Sequence, residues 1–176
     1  MGAAPPARVR RARPGDWAIV RDIRLAALAD APDAFASTLD AELGQPEHEW
    51  RAWIGARPWF LGFLGSQPAG LVAALLPQPG PGHDPAWHLV SMWVSPHARG
   101  SGLADRLVAA VTGQARQAGA ARVTLWVAAG NDRARAFYRR MGFTPTGRRQ
   151  HYPRPGAAAL DEEEFGCPLS DPQRGP

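Results

Sequence analysis

The sequence predicts an α/β (α+β) domain in which helices cover a mixed β-sheet. Two observations lead there. Apolar residues recur at helical spacing in some windows and form short continuous or alternating runs in others. The order of these windows, β-αα-βββ-α-β-α-ββ, joins a hairpin-rich first half to a strand–helix alternation in the second. The composition agrees: 176 residues with 45% hydrophobic and 20% charged side chains suit one core of ordinary size.

Each element has its own reason. Val9 to Ala12 reads as a first strand, followed by a turn at Pro14-Gly15. Asp16 is placed to N-cap a helix whose apolar positions are Ile19, Ile23, Ala26 and Ala27 and which ends near Asp30, before Pro32. A second helix over Glu47 to Ala56 puts Trp50, Trp53 and Ile54 on one face. The runs 59–64 and 69–76 are strands of a hairpin turning at Gly65-Ser66-Gln67-Pro68. The Pro/Gly stretch 77–85 is a loop, and 87–94 is a buried strand bounded by Pro85 and Pro96. A helix from Gly102 to Ala118 carries the stripe Leu103, Leu107, Val111 and Ala115, and Gly119 stops it. Then come a strand at 122–127 and a helix from Asp132 to Met141, with Ala134, Phe137, Tyr138 and Met141 on one face. Strands at 143–149 and 159–169 complete the set. The expected organisation is a flexible N-terminus over 1–7, one domain over 8–169 and a disordered tail over 170–176.

Composition narrows the function classes. No apolar run approaches the length of a membrane span, and the N-terminal stretch lacks the apolar core of a secretory signal. A single cysteine, Cys167, rules out an internal disulfide framework, so a cytoplasmic protein is the expectation. All 20 basic residues are arginine, against 16 acidic ones. They are spread along the chain rather than massed, which argues against a nucleic-acid partner, although Arg133, Arg135, Arg139, Arg140, Arg148 and Arg149 stand close together. No metal-binding residues are expected.

Two stretches carry chemistry. In "VSPHARGSGLADRL" (94–107) a strand passes through Arg99, Gly100 and Gly102 into a helix. Glycines here let free backbone N–H groups approach an anion, the helix N-terminus is positive, and Arg99 offers a fork for phosphate. The same residues also read as a plain glycine-bearing turn capped by Ser101. The loop has neither the lysine of a Walker A motif nor the dinucleotide G-x-G-x-x-G. In "NDRARAFYRRMGF" (131–143), Asn131 or Asp132 caps a helix with Phe137, Tyr138 and Met141 in the core; a buried tyrosine hydroxyl asks for a partner.

Together, the R-x-x-G-x-A loop of "RGSGLA" and the later N-x-x-A-x-x-F-Y-x-x-x-G-F pattern resemble the GNAT superfamily of acyl-CoA N-acyltransferases. The element order is similar to that family over residues 8 to 169. The resemblance implies a GNAT fold, with a centrally splayed sheet of about seven strands flanked by about four helices. It implies acetyl-CoA as acyl-donor cosubstrate and transfer of the acetyl group to a primary amine of a small molecule or peptide by direct attack. A protein N-terminal acetyltransferase and a non-catalytic acyl-CoA-binding module are the alternatives. Met92, Trp93 and Val94 would pair with the pantetheine arm; Arg99, Gly100, Ser101, Gly102, Leu103 and Ala104 would hold the pyrophosphate; Asn131 would bond the pantetheine amide. Tyr138 would protonate the leaving thiolate. For proton removal from the amine the strand offers His88, and a water relay serves equally. The segment 31–40, with Asp33 and Phe35, is a candidate lid, and Trp59, Trp87 and Trp93 are candidate aromatic lining. The partner is an amine acceptor, with no membrane or nucleic acid; a homodimer is compatible with the resemblance but has no interface signal in the sequence.

Overall fold

The computed structural model describes residues 5–77, 85–154 and 157–169. The loop predicted at 77–85 lies mostly, and the tail 170–176 wholly, outside them, as do the first four residues of the predicted N-terminal segment. Seven strands form one sheet: β1 (Ala7–Arg11), β2 (Trp59–Leu64), β3 (Gln67–Leu75), β4 (Trp87–Val94), β5 (Arg122–Ala128), β6 (Thr144–Arg154) and β7 (Ala157–Pro168), in the order β1-β2-β3-β4-β5-β7-β6. Every neighbouring pair is antiparallel except β4 and β5. A parallel pair needs a crossover, and α4 (Leu103–Gln117) supplies it.

The remaining helices are α1 (Trp17–Asp30), α2 (Leu39–Leu43), α3 (Glu47–Ala56) and α5 (Asp132–Arg140). Apolar residues of β3 alternate between two cores. Val72 and Ala74 face α4 and join Leu103, Leu107 and Val111, whereas Leu71 and Ala73 join Val20, Ile23, Trp50 and Ile54 from α1 and α3. Sandwiched between two layers, this strand is apolar almost throughout, as a strand buried on both faces must be.

Four details differ from the sequence reading. The buried stripe of α1 is Val20, Ile23, Arg24, Ala27 and Leu28, while Ala26 is exposed, so an arginine sits inside the apolar face. Asp16 does not cap α1 with its side chain; its carboxylate accepts the Arg13 N–H and both ends of the Arg10 guanidinium, each at 2.8 Å. The segment 31–40 leads into the additional short helix α2, whose first turn is capped by Thr38 through the Ala41 N–H at 3.3 Å. β6 also runs further than predicted, on to Arg154, and so carries Pro153 as well as Pro145. It can do so because it is an edge strand, where a missing N–H breaks no central ladder.

Candidate functional site

The site begins where the sheet opens. β4 and β5 pair only at Trp87–Val123 and His88–Thr124, and beyond that they separate. β5 stays fully paired with β7 on its other edge, from Arg122 to Ala128, so the gap is the diverging β4 edge. Within β4 the register against β3 slips: Val90 faces Ala73 and Trp93 faces Leu71, leaving Ser91 and Met92 opposite Val72 alone. Ser91 takes the strain of this bulge, with φ of 58°, the one positive φ among described non-glycine residues. A bulge re-aims the backbone groups of an open strand edge, and strained backbone concentrates where a ligand is held.

Past β4 the chain makes a short 3₁₀ turn (Pro96–Ala98) and enters α4 through Gly100 and Gly102, with φ of 84° and 79°. These left-handed conformations are open to glycine at no steric cost. Among the described residues, the backbone N–H groups of Gly100, Gly102 and Ala104 have no hydrogen-bond partner, so the positive end of α4 presents unpaired donors. Ser101 stiffens the turn: its hydroxyl donates to Ala98 O at 2.7 Å and accepts the Leu103 N–H at 3.4 Å. The Leu103 side chain is fully buried against Gly62, leaving only its backbone at the loop.

The loop, the β4 end and α5 line one cleft of about 930 Å³. Of the residues singled out for a donor, Met92, Trp93, Val94, Arg99, Gly100, Gly102, Ala104 and Asn131 line it together with Tyr138; exposed Ser101 and buried Leu103 do not. Arg99 is placed unexpectedly. Its Nε donates to Val94 O at 3.2 Å and its Nη2 to Asp30 Oδ2 at 2.5 Å, so the guanidinium braces the loop against the end of α1. The Trp93 indole N–H, 2.9 Å from the same Asp30 oxygen, and then Arg99 hold the Asp30 carboxyl below the usual carboxylate range against a smaller opposing effect of burial.

Asn131 is the N-cap of α5 and accepts the Ala134 N–H at 3.1 Å through Oδ1, which leaves its amide N–H₂ for a ligand carbonyl. Tyr138 is buried, edge-on to Phe137 at 5.1 Å and to Phe143 at 5.6 Å between ring centroids. Its hydroxyl has no hydrogen-bond partner among the described residues, and burial pushes its pKa well above the ordinary tyrosine value. It is therefore a protonated phenol facing a cleft.

His88 is not in that cleft. It lines a second cavity of about 670 Å³ on the other side of β4, together with Val90 and Ser91 of the bulge. Its Nδ1 lies 2.9 Å from Thr124 Oγ1. Burial lowers its pKa, with Glu164 opposing the shift and Arg148 adding to it, so the ring is neutral near pH 7. The two spaces meet at Ala34 and Phe35, which line both. Of the candidate lid residues, buried Phe35 is thus a shared wall, while the Asp33 side chain points to solvent, 90% exposed. Trp59 lines the second cavity and Trp93 the cleft; Trp87 is packed in the core and lines neither.

Several residues at the site carried no sequence signal. Arg154, at the end of β6, buries its guanidinium among the carbonyls of Pro32 (2.6 Å), Phe35 (3.2 Å) and Ala158 (2.7 Å), and so clamps the segment that carries Phe35. Asp30, which braces Arg99, was legible only as a helix end. Arg24 carried no signal either, since nothing in the spacing of α1 marks its position as buried. The clustered arginines are largely matched by carboxylates. Arg135 pairs with Glu163 at 2.7 Å, Arg140 with Asp105 at 2.8 Å and Arg148 with Glu164 at 3.0 Å.

The sheet thus splits beside a helix N-terminus with unpaired N–H groups, and separate spaces adjoin the bulged strand. The model of the Acetyltransferase (GNAT) family matches residues 25–143, and the chain belongs to that family. No curated protein matches the chain by sequence. Among solved structures it is similar to the acetyltransferase of GNAT family from Streptococcus pneumoniae, with TM-score 0.77 and 19% identity over 93% of this chain and 99% of that one. The yncA protein of Salmonella typhimurium, solved with its cofactor acetyl-CoA, gives TM-score 0.77 and 18% identity over 97% of both chains. The ribosomal-protein-alanine N-acetyltransferase from Brucella melitensis gives 0.75 and 21% over 92% and 99%. At these identities the likeness is one of fold. Among the described residues no helix is long and apolar enough to cross a membrane, and no cluster of metal-ligand side chains occurs.

Proposed function

We propose that the protein is an acetyl-CoA-dependent N-acetyltransferase that moves an acetyl group onto a primary amine of a small molecule or peptide by direct attack. The observation that carries this reading is the junction at the β4 bulge, where a cleft with free loop amides meets a separate acceptor cavity across Phe35. The described residues fit the donor: unpaired N–H groups at Gly100, Gly102 and Ala104 suit a pyrophosphate, and the unpaired β4 edge beyond His88 suits an extended arm bearing amides.

Acetyl-CoA, when bound, supplies the thioester on which the amine acts. The loop amides hold its phosphates. The edge from Met92 to Val94 and the Asn131 amide align its arm, and alignment of two reactants is worth about 7–11 kcal/mol of barrier in favourable cases. The bulge at Ser91 re-aims the open strand edge, and a backbone N–H there would serve the carbonyl oxygen, where developing charge needs a donor. Tyr138 gives its phenolic proton to the departing sulfur. On the acceptor side, neutral His88 or a water beside it removes the amine proton.

The test is acetyl-CoA binding by calorimetry followed by thiol release with free amines and with tripeptides. Binding together with release on the free-amine panel, with or without tripeptides, supports the reading; absence of acetyl-CoA binding refutes it. Turnover confined to tripeptides would favour an N-terminal acetyltransferase instead.

A further inference from the structure

The acceptor cavity contains charge that acetyl transfer itself does not need. Arg24 of α1 and Glu42 of α2 form a two-point ion pair there, Nε to Oε2 at 2.9 Å and Nη2 to Oε1 at 2.7 Å, with the two side chains only 8% and 7% exposed. The third guanidinium nitrogen of Arg24, Nη1, is buried and has no hydrogen-bond partner. A buried cationic nitrogen with two idle N–H groups is costly, and native structures leave one only where something else completes it. Arg57, just after α3, opens onto the same cavity and has no hydrogen-bond or ion-pair partner among the described residues.

The carboxylates of this cavity are already engaged. Glu42 is held by Arg24, and Glu162 of β7 accepts from Gln150 Nε2 at 2.6 Å. The cavity is therefore polarised. Arginines with unused donors come from the helical side, while Glu162 and neutral His88 come from the sheet side, next to the bulge. Trp53, Trp59, Trp126 and Tyr152 supply aromatic wall between them.

We propose that the acceptor is a small amine carrying a carboxylate, an α-amino acid or a close relative, whose carboxylate is received by Arg57 and Arg24 while its amine faces β4. This rests on the N-acetyltransferase reading and names its substrate class. Arg57 is half-buried and meets the carboxylate first. Nη1 of Arg24 is closed to solvent and the Phe35 ring centroid lies 4.9 Å from the guanidinium carbon, so on this proposal the carboxylate reaches Nη1 by displacing that ring. Glu42 occupies the Nε/Nη2 edge and fixes the plane of Arg24, so Nη1 is oriented before substrate arrives. A peptide N-terminus lacks the α-carboxylate and leaves the arginine donors idle.

The experiment compares each of a panel of free amino acids with its carboxamide and its decarboxylated amine, using the full chain, with acetyl-CoA binding measured separately. The preferred acid is expected to exceed its amide in kcat/KM by roughly ten- to a hundredfold, the range for a charge-assisted hydrogen bond. Arg57→Gln, a change at an unpaired and partly exposed side chain, should raise KM for the acid and bring it close to the amide while kcat holds. Arg24→Gln, checked for folding by its melting curve, should act in the same direction. If acetyl-CoA binds and amides or simple amines react as well as acids, or if no acid binds or reacts with the donor-loaded protein, the carboxylate inference is overturned. Absence of acetyl-CoA binding would instead sink the underlying enzyme assignment.

Discussion

Replacing Tyr138 by phenylalanine removes one oxygen from a ring that is otherwise held by apolar contacts. The hydroxyl bonds nothing in the described protein, and the ring keeps its edge contacts with Phe137 and Phe143. Deleting a polar atom that lacks a protein partner leaves no new orphan, so stability should move by less than about 1 kcal/mol. Acetyl-CoA affinity should also hold, because the phosphates and arm are assigned to the loop amides, the β4 edge and Asn131. The loss should fall on kcat alone, by about 10²–10⁴-fold, the usual contribution of a positioned general acid. That corresponds to roughly 3–5 kcal/mol of transition-state stabilisation. The raised pKa adds a pH signature: the wild-type phenol stays protonated through the ordinary tyrosine range, so Tyr138 should produce no fall in kcat up to about pH 10. Thiol release under saturating donor and acceptor measures kcat, and calorimetry measures donor affinity. A variant whose kcat stays within about threefold of wild type would remove Tyr138 from the proton transfer.

Three further outcomes follow from the geometry. Because burial depresses the His88 pKa, the unfolded chain binds this proton more readily than the folded one. Stability should therefore fall as pH drops below about 6.5 toward the folded value, and a base role would place the acid limb of kcat/KM in that same window. His88→Gln should abolish that limb; its persistence in the variant would assign the step to water. Gly102→Val forces a β-branched residue to φ of 79°, and relief of that strain displaces the loop amides even though no atom lies within 4 Å of the added Cβ. The acetyl-CoA dissociation constant should rise by about tenfold or more, read by calorimetry. Arg154→Leu strips donors from three carbonyls and frees the segment bearing Phe35, which should cost about 3 kcal/mol in a urea titration and raise acceptor KM. A loss below about 0.5 kcal/mol would mean that the clamp does not hold the segment.

The phosphate-loop stretch was legible because its demands are local. Gly100 and Gly102 must reach positive φ, and α4 must begin there, whatever surrounds them. The α5 motif was legible in the same way, since Asn131 caps the helix and the spacing of Phe137 and Tyr138 sets their face. The spacing in α1 identifies Ile23 and Ala27 as buried but not the rest of the row. Ile19 and Ala26 fit an apolar helix as well as Val20 and Leu28 do, and only packing against β3 settles which row is buried. Arg24 was passed over for the same reason: its burial makes sense only once Glu42, on a short helix not foreseen, is seen to meet it.

The sequence by itself determined the order of the strands and of every helix but the short α2, the turn at the glycine loop and the family pattern, because each rests on backbone propensity and spacing within one short window. Only the tertiary structure decided that Arg99 braces the loop through Asp30, that Arg154 clamps the Phe35 segment, and that His88 and Tyr138 stand on opposite sides of β4. Those arrangements join residues as far apart as Pro32 and Arg154. Hydrogen bonds between such distant groups leave no periodicity in the chain, and they exist only after the sheet has brought its edges and helices together.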